Sequence, residues 1–113
     1  MATAQQLYAE AEKLKDEGNY QEAIGKMSEA LAEDESYVLA HLGLAVLYGK
    51  VGDHESAVKH GQRACELEPN EAFNFTAMSV TYQRAYAGTQ NTQYIQMAED
   101  AMARAHMLQG HAH

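Results

Sequence analysis

Three observations predict an all-α chain built from stacked copies of one helix-turn-helix unit. Ala11, Gly18, Ala23 and Ala30 each find the same residue 34 positions later, in Ala45, Gly52, Ala57 and Ala64. A fixed period of this size means repeated supersecondary units that bury a core only by stacking. Within each copy, apolar and small residues recur at spacings of three and four, which is one face of a helix, and no stretch alternates with the period of two that a strand needs.

The elements follow in order. Leu7, Ala11 and Leu14 mark the first helix of the first copy, His41, Ala45 and Tyr48 that of the second, and Phe75, Ser79 and Tyr82 that of the third. Gly18 and Gly52 supply left-handed helix ends, and Asn19 and Asp53 after them supply polar caps for the next helix. The second helices are predicted roughly over Tyr20 to Asp34, His54 to Glu68 and Gln93 to Gln109, with Asp34-Glu35-Ser36 and Pro69-Asn70 closing the first two units. Ala11 with Ala23 and Ala30, and Ala45 with Ala57 and Ala64, stand where paired helices meet, and their small size lets the axes approach. In the third copy the run Ala98, Met102 and Ala105, which matches Ala23, Met27 and Ala30, arrives seven residues late. An insertion therefore lies between Ala85 and Ile95, with Gly88-Thr89-Gln90-Asn91-Thr92 as its loop. The expected organisation is a single domain over 1–113, with repeats at about 4–37, 38–71 and 72–110.

These marks resemble the tetratricopeptide repeat (TPR) family, whose unit carries a small residue in the first helix, a glycine turn, two alanines in the second helix and a closing proline. Gly52-Asp53-His54-Glu55-Ser56-Ala57-Val58, ending at Leu67-Glu68-Pro69-Asn70, is close to that pattern, and Gly18-Asn19-Tyr20-Gln21-Glu22-Ala23-Ile24 is as close. The resemblance covers nearly the whole chain and implies a right-handed superhelical solenoid of three units. It also implies a scaffold for recognition rather than catalysis.

Composition narrows the function classes. The chain has 113 residues, 46% of them hydrophobic, and a formal charge of −8, which disfavours nucleic acid and anionic membrane as partners. No apolar run approaches the roughly 20 residues of a membrane span, and Met1-Ala2-Thr3-Ala4-Gln5 lacks the features of a secretory leader, so the cytoplasm is the expected compartment. There is no Gly-rich phosphate loop, no zinc-type Cys/His spacing and no nucleophile with a placed base, so neither an enzyme nor a cofactor is expected. The lone Cys65 stands in a core stripe where Leu31 stands in the first copy, and is expected to be an inert buried thiol.

By the family's register the first helices line the concave side. That surface receives Gln5, Tyr8, Glu12 and Lys15 from the first repeat, Leu39, Leu42, Val46 and Lys50 from the second, and Phe73, Thr76, Val80 and Arg84 from the third. Its centre is apolar and one rim is basic, which suits a protein or peptide segment with apolar anchors. Flanking repeats account for Leu44, Ala45, Leu47 and Val51 in the middle first helix, but not for Leu42 and Val46. A partner or a second copy seated there explains them; strong curvature or cover by the N-terminal residues is the alternative. Some family members hold a chaperone's C-terminal carboxylate with a clamp of Lys, Asn and Arg. Tyr8, Glu12, Gly43, Phe73 and Ala77 stand at those positions here, so none of the clamp residues is kept, and a cochaperone role of that type is disfavoured. The function expected is binding of a protein segment as adaptor, assembly factor or chaperone, and the alternative is a homo-oligomeric scaffold self-associating through the groove or the last helix.

Smaller features complete the reading. Glu99 and His106 replace Ile24 and Leu31, or Val58 and Cys65, and suit a face that meets water, as at the natural end of a stack. Met97, Met102, Met107 and Leu108 are expected to stay partly exposed. His106, His111 and His113 form a poor metal site, since no acidic or thiolate partner stands at fixed spacing. Gly61 replaces the methionine of the other copies, Met27 and Met102, and is expected to admit a bulky neighbour such as Phe75 or a close helix approach. The acidic residues at the ends of the second helices, Glu33 to Glu35 and Glu66 to Glu71, read as solvated rim charges.

Overall fold

The computed structural model describes residues 2–110, all of whose regular structure is helical. The helices are α1 (Ala4–Asp16), α2 (Tyr20–Glu33), α3 (Val38–Lys50), α4 (His54–Leu67), α5 (Ala72–Thr89) and α6 (Gln93–Gly110). They form the hairpins α1–α2, α3–α4 and α5–α6, and α2 on α3 and α4 on α5 join one hairpin to the next. α3 also packs on α1 and on α5, whereas α2, α4 and α6 do not pack on one another. The first helices therefore form an inner layer and the second helices an outer one, open between its members.

Local chemistry explains the boundaries. Thr3 and Gln6 cap α1 reciprocally: the Thr3 hydroxyl accepts from the Gln6 N–H at 3.2 Å and the Gln6 side chain accepts from the Thr3 N–H at 2.9 Å. Gly18 and Gly52 both have φ of +85°, where a side chain would be strained. The turns they make are copies: Asn19 N–H donates to Leu14 O at 2.8 Å, and Asp53 N–H to Tyr48 O at 2.9 Å. The caps differ from expectation. Asp53 accepts from the Ser56 N–H and hydroxyl at 3.2 and 2.8 Å, but Asn19 makes no side-chain cap.

Ala11, Ala23, Ala30, Ala45, Ala57 and Ala64 are all buried at the helix crossings. In the third hairpin Ser79 replaces the first-helix alanine, and its hydroxyl donates to Ala98 O at 2.9 Å, so the polar atom is satisfied inside the contact. Between hairpins the contact is a methionine seated over a glycine. A Cβ at Gly43 would lie 2.5 Å from Met27 Cε, and one at Gly61 would lie 2.6 Å from Met78 Sδ. The neighbour that Gly61 admits is thus Met78 and not Phe75, which faces the outer layer.

Three further expectations change. The insertion is taken up mainly as helix: α5 has 18 residues against 13 in α1 and α3, and Gly88 and Thr89 belong to it. Thr89 donates its hydroxyl to Ala85 O at 2.7 Å, Gln90 closes the helix with φ of +62°, and Gly88 lets the extra turn pass the His54 ring. Val51 is exposed, because the chain has left α3 before reaching it. Cys65 is half-buried, not enclosed: its thiol donates to Asn74 O at 3.6 Å, and burial with Glu66 nearby pushes its pKa up to about 11, which keeps it protonated. Met97 and Met107 are exposed and Met102 and Leu108 half-buried, as their composition suggests. His111 and His113 lie outside the described residues, among which no group of three or more metal-binding side chains occurs.

Candidate functional site

The inner layer carries a groove between α3 and α5. Leu42, Val46, Phe73, Thr76, Val80 and Arg84 surround a cavity of about 290 Å³, with Ala45 and Met78 in its floor. Leu42 and Phe73 also border an adjoining cavity of about 590 Å³ at the N-terminal ends of α3 and α5, where Tyr37 and Leu39 add apolar surface and Asp34, Glu68 and Glu71 add carboxylates. The two cavities make one trough with an acidic end and a basic end at Arg84. Leu39 is 48% and Phe73 60% exposed, an unusual state for large apolar side chains next to each other.

Of the residues assigned to the concave surface, those of the first repeat stand apart. Tyr8 is half-buried, edge-on to Tyr37 with centroids 5.8 Å apart, and burial together with the Glu12 carboxylate raises its pKa. Glu12 pairs with Lys15 at 3.1 Å. Lys50, at the far end of α3, holds its ammonium 5.7 Å from the centre of the Tyr20 ring. Gln5 is exposed at the start of α1. None of these side chains lines either cavity, so the trough is built on α3 and α5, with Asp34 and Tyr37 at the end of the first repeat bordering it.

A polar cluster in the second repeat carries no signal of period or motif. His41 is buried, its Nε2–H donates to Glu35 O at 2.8 Å, and its Nδ1 lies 3.0 Å from His60 Nδ1. With both rings neutral, His41 Nδ1 accepts from the His60 Nδ1–H. Tyr48 stacks on His60 at 5.7 Å and 12°, and Arg63 binds both oxygens of Glu35, at 2.7 and 2.9 Å. Those hydrogen bonds hold the Glu35 carboxyl down at about 2, and burial lowers His60. The available clue is substitution within the repeat: His41 stands where Leu7 and Phe75 stand in the other copies, and a buried imidazole needs partners.

A tetratricopeptide repeat family model matches residues 14–72. Photosystem I assembly protein Ycf3 of Acaryochloris marina (strain MBIC 11017) is 41% identical over 59 residues, covering 48% of this chain. The chain spans 34% of that relative's length. Among solved structures, MamA superposes with a TM-score of 0.82 at 16% identity, over 97% of this chain and 60% of its own. The second TPR of Spaghetti (RPAP3), bound to the HSP90 peptide SRMEEVD, superposes with a TM-score of 0.76 at 21% identity, over 93% of this chain and 91% of its own. At these identities the structural likeness concerns the fold, six helices in the same arrangement.

Proposed function

Because the chain belongs to the tetratricopeptide repeat family of protein-interaction modules, we propose that it binds a protein segment in the trough between α3 and α5. The observation that carries this reading is the run of Leu39, Leu42, Val46 and Phe73 along two adjoining cavities that share Leu42 and Phe73, with Leu39 and Phe73 about half exposed. Such side chains are anchors for a partner's apolar residues, and the acidic and basic ends give the segment a preferred direction. The segment differs in chemistry from a terminal carboxylate held by cations, since Tyr8, Glu12, Gly43, Phe73 and Ala77 occupy the clamp positions and Gly43 is buried under Met27.

Among the roles open to such a module, the similarity to an assembly protein favours an adaptor or assembly factor over a chaperone. The cytoplasm is the compartment proposed, on the sequence reading; no described helix is long and apolar enough to cross a membrane. The test is affinity capture from cells of the source organism with the native chain and with Leu39→Asp/Phe73→Asp, both solvent-facing positions. A partner that the native chain retains and the variant loses, at unchanged helicity and melting temperature, supports the trough. A partner retained equally by both refutes it.

A second reading rests on α6, where Ile95 and Met107 are 42% and 53% exposed: a scaffold in which another copy covers the last helix or the trough. Light scattering across about a hundredfold range of concentration decides it, since only self-association makes the mass depend on concentration.

A further inference from the structure

The outer layer offers a second site, and the repeat itself says what fills it. The interval of 34 pairs His41 with Phe75 and Tyr48 with Tyr82. In the second helices, where the third copy runs seven residues late, His60 pairs with Ala101 and Arg63 with Arg104. Over α3, on the side of α4, lies the His60 ring, stacked on Tyr48 and hydrogen-bonded to His41. Over α5, the crevice between α4 and α6 has only the methyl group of Ala101 at that place. A cavity of about 480 Å³ remains, walled by Phe75, Met78, Tyr82, Met97 and Ala101.

We propose that this outer cleft between α4 and α6 docks a partner protein through one aromatic side chain with a cationic residue beside it. The ring takes the place that His60 takes in the preceding repeat. The walls suit a ring: Tyr82 is held in position by Gln62, whose amide donates to its hydroxyl at 3.0 Å, and the exposed Met97 adds an adaptable thioether side chain to the wall. A volume of about 480 Å³ lies within the range of sites that enclose an anchor side chain, and Trp and Tyr dominate such anchors. Charge selects the neighbour. Asp100 stands on α6 and Glu66 on α4, the latter sharing Arg63 with Glu35 through a 3.3 Å contact, while Arg104, the cation of the lining, is laid over Phe75 with its guanidinium carbon 5.8 Å from the ring centre. The rim is negative on balance, within a chain of formal charge −8, and a cation next to the anchor complements it.

The site shares only Met78 with the trough, which lies on the other layer, and its test uses neither trough residues nor cell extract. Amide chemical shifts of the full chain are followed by NMR on titration with two capped tetrapeptides, Ala-Trp-Lys-Ala and Ala-Trp-Glu-Ala, and with free tryptamine. The expected result is a saturable shift around Tyr82, Met97 and Ala101, with the lysine peptide binding about threefold or more tightly than the glutamate one at low salt. Ala101→His restores the ring of the preceding repeat and is expected to abolish the shift without lowering the melting temperature. Met97→Ala, at a partly exposed wall position, is expected to weaken binding several-fold should the histidine variant fold poorly. No saturable shift, equal binding of the two peptides, undiminished binding by both variants, or binding of tryptamine but of neither peptide would each overturn the proposal.

Discussion

The two contacts between successive hairpins solve one packing problem in opposite ways. Where α2 meets α3, the second helix supplies the bulk and the first the space: Met27 sits over Gly43. Where α4 meets α5 the roles reverse, and Met78 of the first helix sits over Gly61 of the second. The crossing demands one large and one small side chain, and either helix can contribute either. The outer layer shows the same freedom. His41 and His60 form a polar pair over α3, whereas Phe75 and Ala101 at the matching positions over α5 line a cavity.

The largest effects come from breaking the methionine contacts. Met78→Ala is expected to cost about 3 kcal/mol, because a buried side chain is lost and Gly61 cannot fill the void. Gly61→Met, which gives α4 the residue that α2 has, is expected to cost about 2 kcal/mol by overpacking. Combined, the two substitutions move the bulk of this contact from α5 to α4, the helix that supplies it in the first interface being α2 through Met27, and urea denaturation is expected to show the double variant well above the sum of the single losses, with about 1 kcal/mol or more of coupling. Additive losses would mean that a methionine on α4 cannot fill the space that Met78 leaves.

Next in size is the histidine pair. His41→Phe copies Phe75 but leaves His60 and the Glu35 carbonyl without their partner, so a loss of about 2 kcal/mol is expected. His41→Phe/His60→Ala, which copies the third repeat on both helices, is expected to recover part of it and to open a cleft over α3.

The same pair makes stability depend on pH. His60 is lowered by burial and then by His41, so the folded state prefers the neutral ring. Its contribution is present above the unfolded value near 6.5 and is lost as pH falls through the folded value. The His60 Nδ1 lies 3.0 Å from His41 Nδ1 and its ring is stacked on Tyr48, while Glu35, which accepts from His41, is paired with Arg63. Thermal melts are therefore expected to fall below pH 6.5 in the native chain, and less steeply in His41→Phe/His60→Ala. Glu35 acts lower: its pKa drops from 4.5 to about 2, so its share disappears between those values. The smallest effects concern the caps. Asp53→Ala is expected to cost about 1 kcal/mol and Asn19→Ala only a few tenths, since Asn19 makes no cap bond to lose.

What the sequence makes legible follows from the same comparison. The glycine turns and crossing alanines repeat because each has one solution, a positive φ or a close approach, and they set the helix boundaries to within a residue or two. The methionine contacts are not legible as a repeat, because the constraint falls on a pair of residues in different units. The extension of α5 is hidden because Gly88 and Thr89 read as loop formers, yet one passes His54 and the other bonds back to its own helix. The histidine cluster joins residues 19 positions apart and a loop carboxylate, a combination with no period. For the candidate site, the register brings together Leu42, Val46, Phe73, Thr76, Val80 and Arg84, as one cavity requires. It does not reveal that Tyr8 turns to Tyr37, a contact that depends on how the first repeat ends, or that Glu12 is taken by its i,i+3 neighbour Lys15 within α1.

The central claim, that the trough of the second and third repeats receives a protein segment, is tested most directly by site-specific photo-crosslinking in cells of the source organism. A photoreactive phenylalanine analogue is placed at Phe73, at Leu39 or, in the first repeat, at exposed Gln5. The account predicts one foreign protein crosslinked from Phe73 and Leu39 and not from Gln5. Crosslinks from Gln5 alone, or none from Phe73 and Leu39, would contradict it.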